Sequence, residues 1–137
     1  MSPRELLDPE CFLFKHGRAF VAAALPKDVR KTTNGHSFDN SLRLATRRHP
    51  ALVYAEGKVT SVVEGDPLIE HAWCVTPEGV VVDPTLEHPE QHEYFGVTFS
   101  PAALLRGIRA SGGSNGFSMM RNGRLRPGIV ISDQDIN

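Results

Sequence analysis

Apolar and polar positions fall into blocks along this chain, and the blocks predict one helix followed by a run of strands. From Ser37 to His49 the apolar positions Phe38, Leu42 and Ala45 recur at helical spacing, with Arg43, Arg47 and Arg48 elsewhere on the helix. Pro50 closes that helix, because the residue before a proline is pushed out of the helical region. Leu52 to Val63 is rich in Val and Tyr and predicts a strand, interrupted at Glu56-Gly57. Gly65-Asp66-Pro67 predicts a turn. Glu70 to Thr76 alternates as a strand, Pro77-Glu78-Gly79 reverses the chain, and Val80 to Asp83 returns antiparallel until Pro84 ends it. His88 to Glu93 reads as a polar loop and Tyr94 to Phe99 as a further strand. Ser100-Pro101 opens a last helix to Arg109, with serine as N-cap and proline at the first helical position.

The flanks are less patterned. Residues 18–25 suit a strand or a short helix, ended by Pro26, and Lys27 to Gly35 reads as a polar loop. The glycine- and arginine-rich stretch from Ser111 to Gly128 is expected to be partly mobile, with Gly112 to Gly116 as a hinge. A helix followed by antiparallel strands gives an α+β fold. The 137 residues suffice for one domain with its own core, which we place at about 18–110 with a tail at 111–137.

Composition narrows the class. Apolar content of 40% and charge of 23% are those of an ordinary globular protein. A net charge of −1 supplies no general attraction to nucleic acid or to an anionic membrane. No apolar run approaches the roughly 20 residues needed to cross a bilayer. Met1 to Glu5 lacks the basic and apolar regions of a signal peptide, so a cytoplasmic location is expected, in the protein's own cell or a host's. Cys11 and Cys74 form no disulfide framework, although one bridge stays open.

Candidate chemistry lies on the central hairpin. On the 70–76 strand, His71, Trp73 and Val75 share one face, and Ala72 and Cys74 the other. Across the turn Asp83 falls close to His71, to within one residue of register. An ionised Asp83 would accept from one ring nitrogen, fix the tautomer and leave the other nitrogen for a nucleophile. Trp73 would pack against the wall of such a site and exclude water. The plainer reading makes His71 a half-buried strand histidine and Asp83-Pro84 a strand terminator.

At the head of the preceding helix, Ser37-Phe38-Asp39-Asn40-Ser41 extends the pattern. In order come Tyr54-Ala55-Glu56-Gly57, His71-Ala72-Trp73, Asp83-Pro84-Thr85 and Tyr94-Phe95-Gly96-Val97. Over residues 35–100 this succession resembles transglutaminase-like proteins, papain-like Cys-His-Asp enzymes, and above all their small bacterial and phage members. The resemblance implies a helix carrying the nucleophile packed on an antiparallel sheet. It implies a catalytic triad at positions 37, 71 and 83, with Asn40 as a supporting residue.

Ser37 stands where the resemblance puts cysteine. Serine must lose its proton during attack, whereas a cysteine paired with imidazolium already supplies thiolate. Ser37 is therefore an introduced Cys→Ser change, a natural loss that leaves a binding protein, or a working serine. Apart from any of these, serine is a good helix N-cap. Cys74 on the opposite face and Cys11 in the apolar Cys-Phe-Leu-Phe run both read as core.

Two competing signals carry less. His71 and Cys74 with His88 and His92 have the spacing of a structural zinc site, but an alternating strand offers no tight turn to bring the first two together. The arginines at 43, 47, 48, 121, 124 and 126 lack interleaved aromatics and read as a solvated helix face and tail. The expectation is thus acyl transfer at an amide of a protein or peptide, without cofactor or metal. Peptidase, isopeptidase, deamidase and transglutaminase activities all remain open. The alternative is an inactive homologue that binds a protein or ligand.

Overall fold

The computed structural model describes residues 2–61, 68–112 and 117–136. Five strands form its central sheet: β1 (Arg18–Phe20), β2 (Val53–Ser61), β3 (Ile69–Val75), β4 (Val81–Val82) and β5 (His92–Phe99). They lie in the order β1-β5-β2-β3-β4, each paired antiparallel with its neighbour. Among the described residues the α-helices are α1 (Phe12–His16), α2 (Ser37–Arg48) and α3 (Pro101–Ala110), and β6 (Met120–Arg121) and β7 (Arg124–Leu125) form a small separate hairpin. The fold is α+β. The turn expected at Gly65-Asp66-Pro67 and residues 113–116 of the expected hinge lie outside the described residues.

Each sheet face has its own apolar cluster. On one face Tyr54, Ala72, Cys74, Val97 and Phe99 pack with Leu44 and Ala45 of α2 and Ala103 and Leu104 of α3. On the other, Trp73 and Val75 pack with Phe20, Ala55, Val59, Val81 and Tyr94. The expected alternation along β3 therefore holds. Alternation is what a strand buried on both faces needs to separate two sets of partners.

Where local pattern and structure differ, a close approach explains the difference. Glu56-Gly57 does not interrupt β2, which runs unbroken to Ser61. Gly57 stands opposite Gly96 of β5, and a Cβ on Gly57 would sit 2.1 Å from the Phe95 carbonyl oxygen. The face that α2 buries is set by Ser37, Ser41, Leu44 and Ala45, with Phe38 and Leu42 at its margin. Small side chains are required there because α2 lies directly against β3, close enough for the Cys74 thiol to donate to the Ser41 carbonyl at 3.2 Å. β1 covers only the first three of residues 18–25, and β4 only two residues before Asp83.

The chain beyond residue 116, read as a tail, contributes Phe117, Met119, Met120 and Ile129 to the core. It is held there by Glu56. This carboxylate is buried and accepts the Met119 N–H (2.6 Å), the Met120 N–H (2.9 Å) and the Tyr54 hydroxyl (2.6 Å).

Candidate active site

β3 and the end of β4 carry the first two members of the site. Val82 pairs with Cys74, so the chain continuing past β4 brings Asp83 level with Trp73 and diagonal to His71. The His71 Nε2 lies 2.8 Å from Asp83 Oδ2, and both side chains are buried. The predicted pair is therefore formed, with Nε2 taken by the carboxylate.

Asp83 is fixed from every side. The Tyr94 hydroxyl donates to the same Oδ2 at 2.7 Å, and the Thr85 and Leu86 amides donate to Oδ1 at 2.9 and 3.3 Å. Burial pushes its pKa up, but the His71 bond and charge, the Tyr94 hydroxyl and the Thr85 amide outweigh it and hold the carboxyl below its ordinary value. Asp83 is thus a carboxylate that can orient an imidazole and stabilise it when charged. Burial, followed by the charge and hydrogen bond of Asp83, pushes the Tyr94 phenol far up, so it remains a donor.

Trp73 is fully buried and forms the wall behind the histidine. Its ring stacks near His71 (centroids 6.3 Å, planes 18° apart) and meets Tyr94 edge-on at 5.0 Å. The indole Nε1 is buried with no hydrogen-bond partner among the described residues.

Ser37 is the first residue of α2. It is not the N-cap: His36 holds that position, and no side chain caps the helix. The Ser37 hydroxyl instead accepts the Ala72 N–H at 3.3 Å, at the edge of β3 where β4 has already ended. Position 37 is therefore seated against the residue next to His71, across 35 positions of sequence. No N-cap side chain holds the first-turn amides, and the helix dipole favours negative charge there, with Asp39 already in the first turn.

Asn40, expected as a supporting residue, points elsewhere. Its amide donates to the Thr33 carbonyl (2.9 Å) and to Thr85 Oγ1 (3.1 Å), tying α2 to the segment just after Asp83. It positions the aspartate loop, and its amide bonds go to neither Ser37 nor His71. The His71 and Cys74 side chains lie on opposite faces of β3, so the zinc arrangement fails geometrically. Burial, then the nearby Asp83 charge, pushes the Cys74 thiol up to about 12.

A groove of about 510 Å³ opens beside position 37. His36, Phe38 and Asp39 of the α2 N-terminus line one side, and Phe117, Met120 and Arg126 of the Glu56-held segment line the other. Glu70, the neighbour of His71, also lines it, while Ser37, His71 and Asp83 do not. Sequence reading missed two residues that build this region. Tyr94 opens the Tyr94-Phe95-Gly96-Val97 run of the resemblance, but nothing local gave its hydroxyl a role. Glu56 did carry a signal, a carboxylate among apolar strand positions, but it reads locally as a break.

The chain matches no family model, no curated protein and no solved structure. Among the described residues, no helix is long and apolar enough to cross a membrane.

Proposed function

We propose that this domain has a transglutaminase-like, papain-related architecture built for acyl transfer at an amide carbonyl, with serine standing in the nucleophile's place. The observation that carries the reading is the buried His71–Asp83 bond together with Ser37 seated against Ala72 at the head of an uncapped helix. A cysteine at position 37 would give its proton to His71 Nδ1 while Asp83 holds Nε2. Its sulfur would bond the acyl carbon, and the carbonyl oxygen would gather charge at the first-turn amides of α2. The carbon–nitrogen bond would then break, the amine leaving with the proton from His71. Water or a second amine would release the acyl group by the reverse proton path. As the chain stands, the serine hydroxyl makes the site inactive or weak.

A second reading is favoured by Ser37 itself: the groove binds its ligand without turnover. Ser37→Cys separates the two, read as the pH profile of alkylation at position 37 by peptide mass spectrometry, with His71→Ala as control. A thiol that reacts well below its ordinary pKa of about 8.5, and loses this without His71, supports the acyl-transfer reading. An ordinary thiol indifferent to His71 rejects it.

A further inference from the structure

A second groove, of about 680 Å³, runs along the outer side of α2, between that helix and residues 28–33. Arg30 and Lys31 project from one wall, and Arg43, Arg47 and Arg48 from the other; Asp28 is the one acidic residue lining it. Two of the five cations are engaged: Arg48 pairs with Asp28 at 3.1 Å, and Lys31 approaches Glu87 at 3.6 Å. Arg30, Arg43 and Arg47 are exposed and form no ion pair among the described residues.

This arrangement exceeds what the fold requires. Cations in the last turn suit the helix dipole, which accounts for Arg47 and Arg48. It accounts neither for Arg43, placed one turn from Arg47 where like charges repel, nor for Arg30 and Lys31 facing them. The whole chain carries 15 basic and 16 acidic residues, so five cations against one acid in a single groove is a local excess.

We propose that this groove binds an acidic peptide segment. Guanidinium groups match carboxylates bidentately, and four of the five cations are arginines. No aromatic side chain lines the groove, so the stacking surface that single-stranded nucleic acid uses is missing. From Asn40 to Arg48 the helix rises about 12 Å, a length covered by roughly four extended residues. The inner end of the groove lies at Asn40, one turn from Ser37, and at Pro84. The Pro84 carbonyl accepts the Thr32 N–H (2.7 Å) and hydroxyl (2.9 Å). A bound segment therefore lies against the strand end that carries Asp83. Its use as a second hold on a protein substrate rests on the acyl-transfer reading; the binding does not.

The test is fluorescence anisotropy of a labelled oligoglutamate of roughly six residues with the Ser37 protein as it stands. Binding should be measurable at about 0.05 M salt and fade towards about 0.5 M. Arg43→Ala/Arg47→Ala should weaken it roughly tenfold or more. Both side chains are exposed, and losing a favourable dipole contact with Arg47 is offset by losing its repulsion from Arg43, so the urea midpoint should move little. Oligolysine of the same length should not bind, and oligothymidylate should bind more weakly. Absence of binding at low salt, or full binding by the double variant, overturns the proposal. Tighter binding of oligothymidylate also overturns it and assigns the groove to nucleic acid. An unreactive Ser37→Cys thiol would leave these results untouched, so the two readings fail separately.

Discussion

Gly96 lies directly beneath the indole of Trp73: a Cβ at that position would stand 2.6 Å from the ring. The glycine leaves room on the sheet for the tryptophan that backs His71, and a Cβ there would also stand 2.5 Å from the Glu56 carbonyl oxygen. Gly96→Ala should press on both the ring and the β2 backbone at Glu56 and cost about 1–3 kcal/mol, as overpacking of a filled core does. Urea denaturation followed by the fluorescence of this single tryptophan measures the loss and the ring's new environment together. An unchanged midpoint would show that the position has room the geometry denies.

Asp83 carries a stability that depends on pH, and the sign follows from its depressed pKa. The unfolded chain ionises this carboxyl near the ordinary value of 3.8, the folded chain at lower pH. Its contribution is therefore complete above pH 3.8 and disappears as pH falls through the folded value. Asp83→Ala leaves the ring nitrogen of His71, the Tyr94 hydroxyl and two amides without their acceptor. It should cost about 3–5 kcal/mol at neutral pH and flatten the acid limb of the stability curve. An acid limb as steep as the parent's would place the titration on another carboxyl.

Tyr94→Phe isolates one of those donors. Loss of the hydroxyl leaves Oδ2 with His71 alone and should cost about 1.5–3 kcal/mol, since a hydrogen bond to a charged group is lost. It should also let the Asp83 pKa rise, moving the acid limb to higher pH. A variant as stable as the parent with the same acid limb would mean that the phenol is packing and nothing more.

The two cysteines are predicted to be silent in the folded state. Cys11 and Cys74 are 1% and 0% exposed, and the Cys74 thiol is pushed to about 12. At pH 8 a thiol reagent should modify neither until the chain unfolds. A Ser37→Cys protein should then show one fast thiol above a zero background, which a rapid second thiol would contradict.

How far the sequence carries depends on the range over which each residue finds its partner. His71 and Asp83 sit 12 positions apart on one hairpin, and strand alternation plus the Pro77-Glu78-Gly79 turn are enough to juxtapose them. The Ser100 cap was equally legible, its hydroxyl accepting the Ala103 N–H at 3.1 Å. Ser37 has the same residue type at a helix start, yet its acceptor role is turned to β3, because α2 approaches that strand closely. Local pattern also gave only one margin of the buried face of α2, whose centre is the small Ser37 and Ser41 together with Leu44, set by the close packing on β3. Residues 117–129 have no clear period, and their anchor lies more than 60 positions away on β2.

That anchor sets the last prediction. Burial raises the Glu56 pKa from 4.5 to about 7, with the Tyr54 hydroxyl and the Met119 and Met120 amides pulling the other way. Between those values the unfolded chain is ionised while the folded one still holds the proton. The contribution is therefore complete below pH 4.5 and is lost as pH rises towards 7, opposite in slope to that of Asp83. Together the two carboxyls place the stability maximum in weak acid. Glu56→Gln removes the upper slope and leaves at least one donor facing an amide nitrogen, which should cost about 1–3 kcal/mol. The Met119 and Met120 amides should exchange faster in the variant, loosening the wall of the groove beside position 37. Hydrogen exchange resolved to residues 117–121, together with urea midpoints from pH 4 to 8, checks both effects. A parent protein whose stability is flat across that range would remove Glu56 as the titrating group, and unchanged exchange in the variant would remove it as the clamp.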